Sequence, residues 1–168
     1  SAYTSASQAY KNAIEYVPGS TFAVDFDAEG SATAYWQNFT SASDSFTSTS
    51  TYVIGNKTAS VSAGDVQVFK LVDTANGETD VKYIAVKGSS DMVNLTFDIT
   101  NALVKINGVS YYDDDVLTVK ANENVEMVVT FADGTTTKTV TVGGNAVSGF
   151  NGTYIFKTAT SVTVTVSA

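Results

Sequence analysis

The chain has 168 residues, of which 43% are hydrophobic and only 15% are charged, so it is long and apolar enough to fold around a substantial core. Serine and threonine make up about a quarter of the residues, which gives a surface rich in hydroxyl groups rather than charges. The net charge of -8, with no Arg and no His, leaves little that could bind phosphates. We therefore expect no nucleic-acid partner and no membrane contact in the mature form.

The first 17 residues carry a pattern that fits two structures. Small and apolar residues recur three and four positions apart, as on a helix that Pro18-Gly19 would end. In an extended chain, four residues would instead share one face: Ala2, Ala6, Tyr10 and Ile14. The pattern leaves helix and strand open. Because turn residues are scarce here, we predict that residues 1–19 form a tail and hinge beside a body of residues 20–168.

From residue 21 onward the sequence predicts short strands separated by turns. Alternating apolar and polar residues indicate strands at 21–27, 66–72, 81–86, 92–99, 116–119, 125–131, 136–142, 154–156 and 161–166. Pairs such as Asn-Gly and Gly-Gly indicate turns at 76–77, 107–108, 133–134, 143–144 and 151–152. The clearest predicted hairpin spans 125–142. The pattern predicts an all-β fold: an antiparallel β-sandwich, jelly-roll or Ig-like, with an extended or short helical N-terminal tail.

Two stretches bear on the domain organisation. Residues 39–51 are rich in Ser and Thr and fit a loop or a polar edge strand. A second, weaker boundary falls near residue 100, and residues 103–168 look like a small Ig-like module. We predict one body rather than two tightly joined domains, because each half would be short.

Four Asn-X-Ser/Thr motifs are candidate N-glycosylation sites, at Asn38, Asn56, Asn94 and Asn151. Composition alone would give about three such motifs, so position carries more information than number. Asn94 lies with Asp98 on the polar face of its strand, and Asn56 and Asn151 adjoin turn glycines. We expect the Asn56 and Asn151 side chains to be exposed, and a glycan would fit on the polar face that carries Asn94.

An enzyme is not expected, because without His or Cys a nucleophilic Ser has no ordinary base. Asp25, Asp27 and Glu29 alternate and could act as paired carboxylates, although a solvated polar face explains them as well. The run Asp113, Asp114 and Asp115 is a calcium candidate, because hard cations prefer clustered oxygen ligands, but it lacks EF-hand spacing and also fits an acidic turn. We expect no other cofactor apart from covalent N-glycans.

Aromatic and lysine residues give two further hypotheses. Tyr35-Trp36 and Tyr111-Tyr112 could form a sugar-stacking platform, or could belong to the core. Lys70 and Lys105 each share a strand face with apolar residues, so a partly buried amine could form an isopeptide crosslink. The alternative is that both amines reach water.

The Ser/Thr/Val/Tyr-rich strands, low charge, acceptor motifs and absence of Cys and His together resemble archaeal extracellular filament subunits of the thread and bundling-pilus type. The resemblance implies a sandwich that lacks one strand, which the tail of the next subunit supplies by donor-strand complementation. It places Ala2, Ala6, Tyr10 and Ile14 in the acceptor groove, with Pro18-Gly19 as hinge. Residues 161–166 are then a candidate groove edge.

This resemblance implies a structural glycoprotein of a cell-surface pilus or thread, with copies of itself as its partner. The first residues, Ser1-Ala2-Tyr3 rather than Met, fit a processed secreted chain, so we expect an extracellular location. Adhesion and biofilm cohesion are both roles that such an assembly serves. Two other classes remain open: a carbohydrate-binding or adhesive β-sandwich domain, and an S-layer or Ig-like module of a surface protein.

Overall fold

A computed structural model describes residues 2–24, 31–52, 57–58, 60–75 and 78–168. Strand accounts for 56% of these residues and helix for 4%, so the fold is all-β, with mostly antiparallel sheets. The chain divides into two compact units, Ser1–Ser90 and Asp91–Ala168. Within the described ranges, no helix is long and apolar enough to cross a membrane. The predicted tail of residues 1–19 and body of residues 20–168 stay a prediction.

The first unit contains one helix and seven strands within its described residues. They are α1 (Ala6–Lys11), β1 (Ile14–Tyr16), β2 (Phe22–Ala23), β3 (Ser31–Phe39), β4 (Thr51–Tyr52), β5 (Lys57–Thr58), β6 (Val66–Ala75) and β7 (Glu78–Gly88). Five strands form a sheet in the order β1-β7-β6-β3-β4, and β2 pairs with β5. Only β1 runs parallel to its neighbour in that sheet.

Apolar side chains cover both faces of the five-stranded sheet. One face holds a cluster of Ala9, Phe39, Val66, Val68 and Ala85. The other face holds a cluster of Phe22, Val24, Val61, Phe69 and Val86. Strand β3 was not predicted, because its large apolar residues, Trp36 and Phe39, do not lie at alternate positions.

The second unit contains ten strands. They are β8 (Met92–Thr100), β9 (Ala102–Ile106), β10 (Val109–Tyr111), β11 (Val116–Lys120), β12 (Val125–Phe131), β13 (Thr139–Val142), β14 (Asn145–Ala146), β15 (Gly149–Phe150), β16 (Thr153–Phe156) and β17 (Val162–Ser167). The front sheet has the order β10-β9-β12-β16-β15, and the back sheet has the order β11-β8-β17-β13-β14. All neighbours are antiparallel except β8 and β17.

A single core joins the front and back sheets. Leu95 and Phe97 of β8 and Met127 of β12 have no exposed surface, and they belong to one cluster drawn from both sheets. Strand β12 alternates buried and exposed residues along its whole length, as a half-buried strand should. The two sheets therefore pack as layers of a sandwich around one core.

The predicted hairpin of residues 125–142 is wrong. Its arms, β12 and β13, lie in different sheets: β12 pairs with β9 and β16, whereas β13 pairs with β14 and β17. Residues 132–138 connect them across the sandwich. A hairpin and such a crossing connection both send alternate residues into the same core, so the local pattern does not distinguish them.

The predicted two-residue turns at Asn107-Gly108 and Asn151-Gly152 are confirmed. In both turns the two residues have positive φ, 51° and 74° in the first and 50° and 80° in the second. This is the geometry of a type I′ turn, which Asn-Gly adopts readily and which matches the twist of a hairpin. The turn at 76–77 lies outside the described residues.

We expect Leu95→Ala to lower the free energy of unfolding by about 2–5 kcal/mol, because it leaves a cavity at a fully buried position. Urea unfolding followed by circular dichroism measures this. Val116→Ala is the matched control, because Val116 is 54% exposed and its truncation should cost less than about 0.5 kcal/mol. Equal stability of the Leu95→Ala variant and the parent chain would contradict the core described above.

Candidate functional site

The N-terminal segment, residues 2–17, packs on the first sheet of its own chain. Ser5 begins α1 as its N-cap, because its hydroxyl oxygen accepts the Gln8 N–H bond at 3.2 Å. Ala9 of this helix has no exposed surface and lies in the cluster with Val68 and Ala85. The small side chain of Ala9 lets the helix approach the sheet closely.

Backbone hydrogen bonds hold the segment on either side of α1. Tyr3 and Tyr83 exchange two N–H···O bonds of 2.7 Å each, in an isolated antiparallel bridge. After the helix, β1 pairs with the edge of β7, with Ile14 opposite Val86, and Ser89 N–H donates to the Tyr16 carbonyl at 2.9 Å. The segment thus supplies both an edge strand and a covering helix.

The four residues predicted for a donor strand do not lie on one extended strand in this structure. Ala6 and Tyr10 are half-buried residues of α1, Ala2 is exposed, and Ile14 is 41% exposed in β1. Ala9, which has no exposed surface, belongs to the helical alternative of the pattern and not to the extended one. The segment therefore contains both of the structures that the sequence left open: a helix at Ala6–Lys11 and a strand at Ile14–Tyr16. Whether the segment serves a neighbouring chain stays a prediction.

Strand β17, predicted as a groove edge, is paired on both sides. It runs parallel to β8 and antiparallel to β13. Its backbone groups are therefore used within the back sheet, and the groove-edge prediction for residues 161–166 is wrong. The alternation of Val and Thr identifies a half-buried strand but carries no signal of its place in a sheet.

A loop beside α1 completes the covered face of the first sheet. Phe46 packs against Phe39 and Tyr83, with ring centroids 6.1 and 6.0 Å apart, and Lys70 Nζ lies 5.6 Å from its ring centre. The Lys70 amine therefore makes a cation–π contact with the Phe46 ring. The other lysine of the crosslink hypothesis, Lys105, is exposed.

The Asp44 carboxylate closes this loop. Its Oδ2 accepts bonds from Thr40 N–H at 2.7 Å, Thr40 Oγ1 at 3.1 Å and Ser41 N–H at 3.3 Å. The bond from Thr40 N–H is the main cause of a lowered pKa for Asp44; desolvation opposes it, and the bonds from Thr40 Oγ1 and Ser41 N–H add to it. The ionised carboxylate thus holds the turn that brings Phe46 over the sheet.

The candidate glycosylation sites differ in their surroundings. Asn151 is exposed at the tip of a hairpin turn, and Asn38 is exposed on β3. Asn94 is half-buried, and its Oδ1 accepts a 2.9 Å bond from Thr118 Oγ1 on the neighbouring strand. Asn94 lies with Asp98 on the outer face of β8, as predicted, because Val93, Leu95 and Phe97 are buried on the other face. Asn56 lies outside the described residues.

Two carboxylates of the acidic run accept hydrogen bonds from backbone N–H groups. Asp113 Oδ1 accepts the Ile99 N–H at 2.9 Å, and Asp115 Oδ2 accepts the Tyr112 N–H at 2.7 Å. Asp114 adopts a positive φ of 67°. These bonds shape the turn between β10 and β11. No group of three metal-ligating side chains occurs in the part of the chain that the structure describes. The carboxylates Asp25, Asp27 and Glu29 fall outside that part.

Each of the two aromatic pairs has one ring that packs on buried aromatic residues, as the core alternative predicts. Trp36 packs against the buried cluster of Phe69, and Tyr111 stacks on Phe97 with centroids 5.2 Å apart. Tyr112 is 64% exposed. A cleft of about 710 Å³ opens between the edge strands β10 and β11, and Tyr111, with apolar residues of both strands, lines it. Its volume is within the range of ligand pockets.

We expect Asn151 to be glycosylated more fully than Asn94 when the chain is made in a host with N-glycosylation machinery. The exposed turn leaves the Asn151 amide accessible, whereas Thr118 holds the Asn94 side chain. Glycopeptide mass spectrometry measures both occupancies. Thr118→Val should raise occupancy at Asn94 and leave Asn151 unchanged; equal occupancy in the parent chain would contradict this order.

We expect the Asp44 loop to loosen in acid. Because the folded pKa lies below the unfolded one, the loop's stabilisation is full above about pH 4 and is lost as the pH falls through the folded value. In ¹H–¹⁵N NMR, the Thr40 amide resonance should shift in this acid range, and Asp44→Asn should abolish the shift. The Thr47 amide is the internal control, because it donates to the neutral Gln37 side chain. A Thr40 titration that survives in Asp44→Asn would contradict the assignment.

Comparison with known proteins gives no relative from which a function could be transferred. No protein-family model, no curated protein sequence and no solved structure matches the chain. The function is therefore argued from the fold and from the placement of the N-terminal segment.

Proposed function

We propose that the chain is a structural subunit of a secreted cell-surface filament, which polymerises by exchange of its N-terminal segment between copies. One observation carries this proposal: residues 2–16 complete the first sheet, as edge strand β1 and covering helix α1. A segment that complements a sheet in its own chain also fits the same sheet of a neighbour. Successive exchanges of this kind give an open polymer.

The contacts of the segment suit such an exchange. Its backbone bonds to β7 would supply affinity regardless of side chains, and Ala9 and Tyr10 would supply fit against the sheet face. Only Lys11 and Glu15 carry charge among the first 17 residues, so the segment can be buried at little electrostatic cost.

Without the segment, the first sheet would be incomplete. Val68 and Ala85, which are 0% and 1% exposed, would lose the cover of α1, and the edge of β7 would be unpaired. Exposing a large buried apolar side chain costs about 1.5–3 kcal/mol. An open sheet edge also favours pairing with another chain. Both effects would favour uptake of a neighbour's segment.

A cysteine pair at the Tyr3–Tyr83 bridge tests the exchange. The chain has no native Cys, and the two residues form a hydrogen-bonded bridge, at which Cα atoms are about 5.5 Å apart, within reach of a disulfide. In assembled material, we expect oxidised Tyr3→Cys/Tyr83→Cys chains to form a reducible ladder on denaturing gels. The ladder arises because each disulfide would join successive chains. In monomers, the same disulfide closes within one chain.

Two variants serve as controls for this experiment. Tyr3→Cys alone can give no more than dimers. Deletion of residues 1–18 should abolish assembly and leave a less stable body. Filaments formed by the truncated chain, or filaments in which every disulfide lies within one chain, would overturn the proposal.

For the second unit we propose an Ig-like rather than a jelly-roll sandwich. Its first and last strands, β8 and β17, lie side by side and parallel. A jelly roll is built from antiparallel strands in two Greek keys, so this parallel pair favours the Ig-like alternative. Such a unit fits the surface of a secreted protein.

A second candidate function is a carbohydrate-binding or adhesive module. The cleft between β10 and β11 favours it, because Tyr111 and Leu117 supply apolar surface and Glu123 supplies a polar group. A binding module would remain monomeric, with the disulfide of the cysteine pair always within one chain. The same gel therefore separates the two candidates.

A further inference from the structure

The outer face of the front sheet exposes four large apolar side chains of the second unit. Leu103, Val128, Ile155 and Phe150 are 65%, 45%, 55% and 80% exposed. They come from β9, β12, β16 and β15, so the patch spans four of the five strands. Several large exposed apolar side chains on one sheet face are typical of an interaction surface rather than of a plain solvated sheet.

The strand register arranges three of these residues on a straight diagonal. Leu103 is opposite Thr130, Lys105 is opposite Val128, and Glu126 is opposite Ile155. The step from Leu103 to Val128 is therefore one strand across the sheet and two residues along the strand. The step from Val128 to Ile155 is the same. Lys105 and Glu126 are displaced from each other by the same step, on a parallel line.

This arrangement is complementary to itself. Strands are about 4.8 Å apart, and side chains on one face repeat about every 6.7 Å along a strand. Consider a two-fold axis that lies in the plane of the face, passes through Val128 and is perpendicular to the diagonal. Rotation about this axis places Leu103 of one copy opposite Ile155 of the other. The same axis passes within about 2 Å of the midpoint between Lys105 and Glu126 and exchanges them. In a pair of copies, each Lys105 would face the partner's Glu126.

The charges are available for such a contact. Lys105 and Glu126 are both exposed, and within the described residues the one ion pair joins Lys82 to Asp80. Lys105 and Glu126 are thus not paired with each other inside one chain. A contact in which residue i meets residue j twice is the mark of a two-fold interface.

We propose that the outer face of the front sheet is a self-association surface, on which two copies of the chain pack face to face about a two-fold axis at Val128. The strands of the two copies would cross at about 70°, close to the orthogonal class of sheet packing. The face measures about 24 Å by 20 Å, so a pair covers on the order of 1,000 Å², the lower limit of specific interfaces. The association should therefore be weak and reversible, and a covalent trap is the suitable probe.

The trap uses single cysteines in a chain that has none. Facing sheets are about 10 Å apart, too far for a direct disulfide, so a short bismaleimide is the crosslinker. Unglycosylated full-length Val128→Cys should form crosslinked dimers at least about tenfold faster than Val116→Cys, because only Val128 meets its own copy. Val116 is the matched control, since it is 54% exposed on the back sheet.

Two further measurements test the symmetry itself. A mixture of Leu103→Cys and Ile155→Cys chains should crosslink faster than either alone, because the axis exchanges these positions. In the Val128→Cys background, Lys105→Glu should slow crosslinking several-fold, and adding Glu126→Lys should restore it. These charge changes are at exposed positions and should leave the circular dichroism spectrum unchanged.

Equal rates for Val128→Cys and Val116→Cys would overturn the proposal. The proposal would also be overturned if Lys105→Glu slowed crosslinking and the added Glu126→Lys change did not restore the crosslinking rate. Crosslinking that disappears when residues 1–18 are deleted would assign association to the N-terminal segment instead. The proposed surface does not include residues 1–18. This result would therefore contradict the face-to-face contact while still supporting the proposed exchange of the N-terminal segment.

Discussion

The edge of β7 is the constraint on which the first unit depends. A strand edge exposes backbone donors and acceptors that must be paired or protected, and here a segment from the start of the chain pairs with it. Because β1 runs parallel to β7, a tight hairpin cannot join them, and the segment reaches the edge from a distant part of the sequence. A contact made this way depends little on chain connectivity, which is what makes exchange between copies physically reasonable.

The second unit protects its sheet edges mainly by having short edge strands. Its outermost strands are short: β10 has three residues, and β14 and β15 have two each. Short edge strands offer few backbone groups to another chain, so they discourage strand addition. The longer edge strand β11 carries charged Lys120 at its end. What the unit leaves open is therefore a face rather than an edge, and contact there depends on side-chain complementarity instead of backbone pairing.

The sequence predicted the longest strands that bury one face, although it did not include the half-buried strand β9. Alternation identified β8, β12 and β17, because each has a core side and a solvent side. It missed β3, in which Trp36 and Phe39 do not lie at alternate positions, and it mistook a crossing connection for a hairpin at residues 125–142. It also could not show that β11 lies beside Asn94 or that β17 is paired on both sides. Strand neighbours are set by long-range packing, and a local pattern carries no record of them.

The two proposed contacts differ in symmetry and in their response to charge. Exchange of the N-terminal segment is head-to-tail and extends without limit, whereas a two-fold contact closes on itself. Copies that each carry a net charge of -8 repel one another, and salt screens this repulsion over about 8–10 Å. Segment exchange depends on backbone bonds and buried Ala9, so it should tolerate low salt. The two-fold contact contains two equivalent Lys105–Glu126 pairs, whose attraction opposes this repulsion only in part. The apolar residues of the diagonal must therefore supply most of the binding free energy. Salt weakens the long-range repulsion between the chains more than the short-range attraction within each Lys105–Glu126 pair, so added salt should strengthen the face-to-face contact.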